Sequence, residues 1–130
     1  MKEITIDGVE YDLTPKQEPE LLFNDWRLPT RAELATLIND KKCDPACDLL
    51  DTVSYFYWSY TTDAYDTNYV WIVCFNYGFQ TYRNKTNSNY VRFVRDSEHG
   101  LQWTKSYGQM VWNEAIRFAE TLIAPAYHSL

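Results

Sequence analysis

The chain has 130 residues, with 12 basic and 18 acidic side chains and a formal charge of −6. That length suits one domain able to bury a core without a metal or disulfide staple. Scarce glycine and short apolar runs exclude a collagen-like, disordered or helical membrane-spanning chain, and the acidic balance argues against nucleic acid, whose phosphates need a basic face.

The N-terminal stretch alternates polar and apolar residues, Ile4 and Ile6 then Val9 and Tyr11, around Asp7-Gly8. Asp-Gly between alternating runs predicts a two-residue hairpin, because both turn positions need positive φ. No apolar h-region precedes it, so the expectation is no signal peptide and a cytoplasmic location, with virion association as the alternative. Residues 14–20 read as a loop. The first 25 residues hold seven acids against Lys2 and Lys16, a net −5. A solvated surface and an acidic binding face both fit that bias.

Thr30 and Glu33 form a capping box, in which the hydroxyl and the carboxylate each take the other residue's backbone N–H. Leu34, Leu37 and Ile38 then fall on one helical face, and the helix is expected to end near Lys41-Lys42. Asp44-Pro45 marks a turn. Three cysteines (Cys43, Cys47, Cys74) without a secretion signal read as reduced thiols. Cys43 and Cys47 lack two further zinc ligands, since only His99 and His128 are on offer, far along the chain.

Aromatic residues make up 17% of the chain, and 12 of the 22 lie between residues 55 and 82. Residues 55–60, 69–75, 79–83 and 90–95 are aromatic and β-branched, which predicts four strands in a meandering antiparallel sheet. Asn76-Tyr77-Gly78 reads as a tight turn, and residues 63–68 and 84–89 as polar loops. Residues 101–103 are a short strand candidate. Residues 112–123 predict a second helix with Ala115, Phe118, Ala119, Leu122 and Ile123 on its apolar side, ended by Pro125. The order of elements is α+β, in a single domain spanning 1–130.

Four segments together resemble one family: DWRLPTRAEL (Asp25–Leu34), YWSYTT (Tyr57–Thr62), YVWIVCFNYGF (Tyr69–Phe79) and KTNSNYVRFVRD (Lys85–Asp96). The chain resembles the Lcl C-terminal domain family. The resemblance implies a C-type-lectin-like fold, a twisted antiparallel sheet with two helices and long polar loops, of a kind found in adhesins and phage proteins. It also implies structural roles for Trp26, Arg27, Pro29, Thr30, Glu33, Trp58, Trp71, Arg95, Trp103 and Trp112, with the tryptophans in the core and Glu33 available to pair with either arginine. Residues 100–124 resemble the family's usual opening strand and helix, displaced here to the far end. That order implies a circular permutation or the start of a second repeat. The helix then packs on its own sheet or, in a domain-swapped homodimer, on a partner's. Formylglycine-generating enzymes share RLPT-like and VR-like segments, but their copper-binding cysteine pair has no counterpart after Cys74.

No nucleophile–base set, metal-ligand motif or phosphate loop occurs, so the expectation is a non-enzymatic chain without cofactor or metal. Asp63, Asp66 and Asn68 offer oxygen atoms suited to calcium, yet lack the EF-hand pattern. Between Thr67 and Arg95 there are no acids and four bases, Arg83, Lys85, Arg92 and Arg95. Tyrosine, asparagine and serine crowd the same stretch, the composition of a paratope. Asp63, Tyr65, Asp66, Asn68, Tyr77, Tyr82, Arg83, Lys85, Asn87 and Asn89 are therefore the candidate residues for contact with a protein or glycan. Two functional classes follow: a phage- or prophage-encoded binding module, or an intracellular inhibitor of a host defence or enzyme complex.

Overall fold

Helix α1 (Arg31–Ala35) starts where the capping box places it. Thr30 Oγ1 accepts from Glu33 N at 3.2 Å, and Glu33 Oε1 accepts from Thr30 N at 2.8 Å. The computed structural model describes residues 25–127 in full and Glu3–Ile6 and Val9–Asp12 as backbone strands. The helix is shorter than its apolar spacing predicts. The Thr36 hydroxyl takes the Glu33 carbonyl at 2.6 Å, and the next turns close with i→i+3 bonds, Leu37 N to Leu34 O and Ile38 N to Ala35 O. A threonine that competes for the ladder ends it early. The chain then leaves to bond elsewhere, with Asn39 N on Ala46 O and Ala46 N on Phe75 O.

Strands β1 (Glu3–Ile6) and β2 (Val9–Asp12) form the expected hairpin, with Ile4 opposite Tyr11. Its Asp7-Gly8 turn and the 14–20 loop lie outside the described residues. The main sheet contains β3 (Phe56–Thr62), β4 (Tyr69–Cys74), β5 (Phe79–Asn84), β6 (Ser88–Val91) and β9 (Tyr107–Val111), in the spatial order β5-β4-β3-β6-β9. The sheet is mixed rather than an antiparallel meander, because β6 runs parallel to β3 with Tyr90 beside Tyr57. Residues 90–95 do not make one strand either. Arg92 and Phe93 turn inward, Phe93 N and O are taken by Thr104, and β7 (Val94–Ser97) leaves to pair with β8 (Gly100–Trp103). Strand β9 was not foreseen, since Gly108 and Gln109 interrupt its aromatic and β-branched character.

The alternation of strand side chains creates two cores. Trp58, Val70, Ile72 and Cys74 face helix α2 (Trp112–Thr121), together with Val91, Phe93, Ala115 and Ala119. Tyr57, Val73 and Phe75 face the opposite side and meet Leu34 of α1 and Cys47. The fold is α+β with two helices, as the element order implies. Helix α2 stops at Thr121 instead of 123. Leu122 is already extended, Pro125 disfavours helix at the residue before it, and Ile123, expected on the apolar side, is 59% exposed.

Gly78 closes the β4–β5 hairpin at φ +82°, and a Cβ there would lie 2.9 Å from Ile38 Cγ2 and 3.2 Å from Ala46 Cβ. Gly78→Ala is therefore expected to lower stability by about 1–2 kcal/mol from the backbone conformation alone, with the crowding added. Urea denaturation should show this as a fall in the midpoint at unchanged slope.

Candidate functional site

The WRLPT segment is tied down at every residue that the resemblance marked as structural. Trp26 donates Nε1–H to Ala124 O at 3.0 Å. Arg27 bridges the backbone of Val94 and grips Glu33 with both terminal nitrogens, at 2.6 and 2.8 Å. Pro29 O accepts from Tyr60 N at 2.7 Å. Glu33 thus serves Arg27. Arg95 instead bonds Gln102 Oε1 at 2.8 Å, faces Asp25 at 3.6 Å and lies over the Trp26 ring. Trp58 and Trp112 are buried, and donate to Met110 O and Ser59 O. Trp103 is half-buried against the Tyr57 core.

Trp71 departs from the core role. It is half-buried on the α1 side of the sheet, where the Arg31 guanidinium stacks 3.4 Å from its ring centre. Arg31 Nε also donates to Gln80 Oε1 at 2.5 Å. Tyr82 meets the Trp71 ring edge-on, and Tyr69 meets Tyr82 in the same way.

The candidate contact residues divide by position. At one end of the sheet, the β3–β4 loop carries Asp63, Tyr65, Asp66 and Asn68, and the β5–β6 turn carries Lys85 and Asn87. Lys85 N donates to Asn68 O at 2.9 Å, which joins the two loops. Tyr65 is 99% exposed, and Asp66, Asn68 and Asn87 are exposed. The Asp66 carboxylate accepts from Asn68 N, and Asn84 Oδ1 accepts from Thr86, so both turns are internally braced. Tyr77, 71% exposed, sits at the other end of the β4–β5 hairpin, roughly 17 Å away at the rise of a strand. Tyr82 and Arg83 lie between, on β5.

This loop end belongs to a recognised type of domain. Residues 16–95 match the model of the Lcl C-terminal domain. The chain belongs to the Lcl C-terminal domain family. No curated protein and no solved structure matches it. The match in this family member takes in both loops of the end and every strand from β3 to β6.

One expected contact residue is withdrawn into this Lcl C-terminal domain. Asn89 is 2% exposed, because β6 lies between β3 and β9 and turns alternate side chains inward. Arg92, one of the four bases of the 67–95 stretch, is also withdrawn, at 1% exposed. Its guanidinium pairs with the Asp51 carboxylate and reaches Ser106 Oγ at 3.0 Å and Thr52 Oγ1 at 3.3 Å. Asp51 also accepts from Ser106 N, and Ser106 Oγ meets the Tyr57 hydroxyl at 2.6 Å. Burial pulls Arg92 down to about 10, which leaves it charged at neutral pH. Burial also pushes the Tyr57 phenol up. Nothing in the run of bases signalled this, and Asp51 lies in a segment with no pattern of its own.

Among the described residues, no group of three or more His, Cys, Asp or Glu side chains gathers, and the three thiols are free. His128 lies outside the described residues. A shallow, mainly apolar groove of about 350 Å³ runs between Trp26, Leu28, Tyr60 and the α2 residues Ile116 and Ala119.

The Arg27 hydrogen bonds hold the Glu33 carboxyl down to about 2 from its ordinary 4.5. Protonation therefore favours the unfolded chain, and this contribution is complete above about pH 4.5 and drains away as pH falls towards 2. Glu33→Gln should flatten the pH dependence of the melting temperature across that window. Asp51→Ala leaves the Arg92 charge buried and unpaired, and should cost about 3–5 kcal/mol in urea denaturation.

Proposed function

We propose that this chain is a non-enzymatic binding module that recognises a protein or glycan through the loop end built from residues 63–68 and 85–87. The observation that carries this reading is the bare Tyr65 side chain, 99% exposed on a loop whose neighbours Asp66, Asn68 and Asn87 are also exposed. Exposed tyrosine supplies large contact area for little rotamer entropy, and asparagine supplies adaptable hydrogen bonds. The braced turns keep the ordering cost of binding low.

The C-type-lectin-like fold and a phage or prophage origin accompany this reading through the family. So does a circular permutation: the strand–helix unit at 100–124 follows the matched region, and its β9 and α2 complete the same sheet and core. The same contacts between two chains would make a domain-swapped dimer.

The acidic N-terminal segment favours a second reading, an intracellular inhibitor of a host defence or enzyme complex. Its net −5 suits a basic channel on a target.

The test is partner retention on a glycan array and from host extract. Combined Tyr65→Ala, Asn68→Ala and Asn87→Ala substitutions should abolish retention of a partner that Tyr77→Ala, at the far end, leaves bound. Retention unaffected by the triple variant removes the loop-end assignment. Loss on reversing Glu3, Glu10 and Asp12 instead would favour the inhibitor.

A further inference from the structure

Strand β5 is the last strand of the main sheet on its side. Its register with β4 is regular, and Lys85 N donates to Asn68 O. In an antiparallel ladder the mutually bonded pairs alternate. Val70–Arg83 and Ile72–Thr81 are therefore the bonded pairs, and Gln80, Tyr82 and Asn84 turn their backbone N–H and C=O groups away from the sheet. A row of such groups is a template for another strand. Two of the carbonyls are covered from within: Arg83 donates Nη1–H to Tyr82 O at 2.8 Å, and Asn87 N donates to Asn84 O at 3.0 Å, which leaves the Asn84 N–H on offer.

The two strands of this hairpin carry one sign of charge, although Asp44 lies at one end of it and Asp63 at the other. No acid occurs between Thr67 and Arg95. Arg31 is held beside the edge by the Trp71 ring and by Gln80, and neither of its terminal nitrogens meets an acceptor among the described residues. A guanidinium fixed in this way has already lost most of its side-chain entropy and presents a planar fork suited to a carboxylate. Phe79 and Tyr82 add exposed aromatic surface on the same strand.

We propose that the β5 edge is an interaction surface for an extended acidic polypeptide, which adds as a strand beside Gln80, Tyr82 and Asn84. The backbone groups recur every second residue, the spacing of a peptide and not of a sugar chain. The partner's N–H replaces Arg83 at the Tyr82 carbonyl, and the fixed Arg31 takes the carboxylates that an alternating strand turns to the α1 face, Arg83 lying on the other face over the Phe56 ring. This surface is separate from the loop end and does not depend on it.

The experiment is an amide chemical-shift titration of the full chain with a short alternating Glu-Val peptide, with an alternating Lys-Val peptide and a heparin oligosaccharide as counter-probes. The Glu-Val peptide should shift the amides of Gln80, Tyr82 and Asn84, and the Lys-Val peptide should bind about tenfold more weakly or not at all. Arg31→Gln should weaken the acidic peptide several-fold, and added salt should do the same. Tyr82→Pro removes an outward N–H but no ladder bond, and should abolish strand addition. An unresponsive edge, shifts confined to residues 63–68 and 85–87, or an equal response to the Lys-Val peptide or heparin would each overturn the proposal. Should Tyr82→Pro fail to fold, the Arg31→Gln titration decides alone: unchanged affinity sinks the carboxylate role and with it the proposal.

Discussion

One buried charge organises much of this molecule. Arg92 lies at 1% exposure, and a guanidinium in that position must be paired and hydrogen-bonded or it unfolds its surroundings. Its partners come from three places in the chain: Asp51 and Thr52 in the loop before β3, Ser106 before β9, and, through Ser106, Tyr57 on β3. Meeting that demand fixes where the 48–55 loop lies and where the chain re-enters the sheet after β8. It also explains why a run that reads as one strand becomes two. With Arg92 and Phe93 both turned inward, β6 stays in the main sheet and β7 leaves for β8.

Tryptophan supplies the second organising element. Trp26, Trp58 and Trp112 each bury a large ring and each spend the indole N–H on a distant backbone carbonyl, at Ala124, Met110 and Ser59. Two of these bonds join β3 to the β9–α2 unit, and the third joins the WRLPT segment to the end of that unit. A buried indole that lost its carbonyl would leave an unmade bond on both sides. The aromatic abundance is thus divided. The tryptophans, except Trp71 and the half-buried Trp103, close the interior, and the tyrosines at 65, 77 and 82 stand outside.

What could be read from the residues alone was local. The capping box, the hairpin turns, the two helix starts and the family motifs are set by neighbours a few positions apart. The parallel pairing of β3 with β6, the split at Arg92 and the burial of Asn89 depend on which strand lies next to which, and no short-range pattern carries that information. The candidate site shows the same division. Polarity marked residues 63–68 correctly as a loop and overextended the second to 84–89, of which only 85–87 lie outside β5 and β6; the fold joins the two through Lys85 and Asn68. Composition could not show that Tyr77 belongs to the opposite end, or that two of the four bases, Arg92 and Arg95, are buried and ion-paired. Trp71 was misplaced for a related reason: its strand is apolar throughout, and only the position of Arg31 shows which side is half open.

The bond from Trp26 to Ala124 spans 98 positions of sequence, and it bears on how the chain is made. During synthesis, the aromatic strands emerge well before the segment that covers them. Until residues 107–124 are available, β6 lacks its neighbour β9 and Trp58 lacks its acceptor. Assembly is therefore weighted towards contacts that loop closure makes slow, and the nascent chain carries an unfinished, sticky sheet until residues 107–124 arrive. The sheet and its core are completed by the segment made after them.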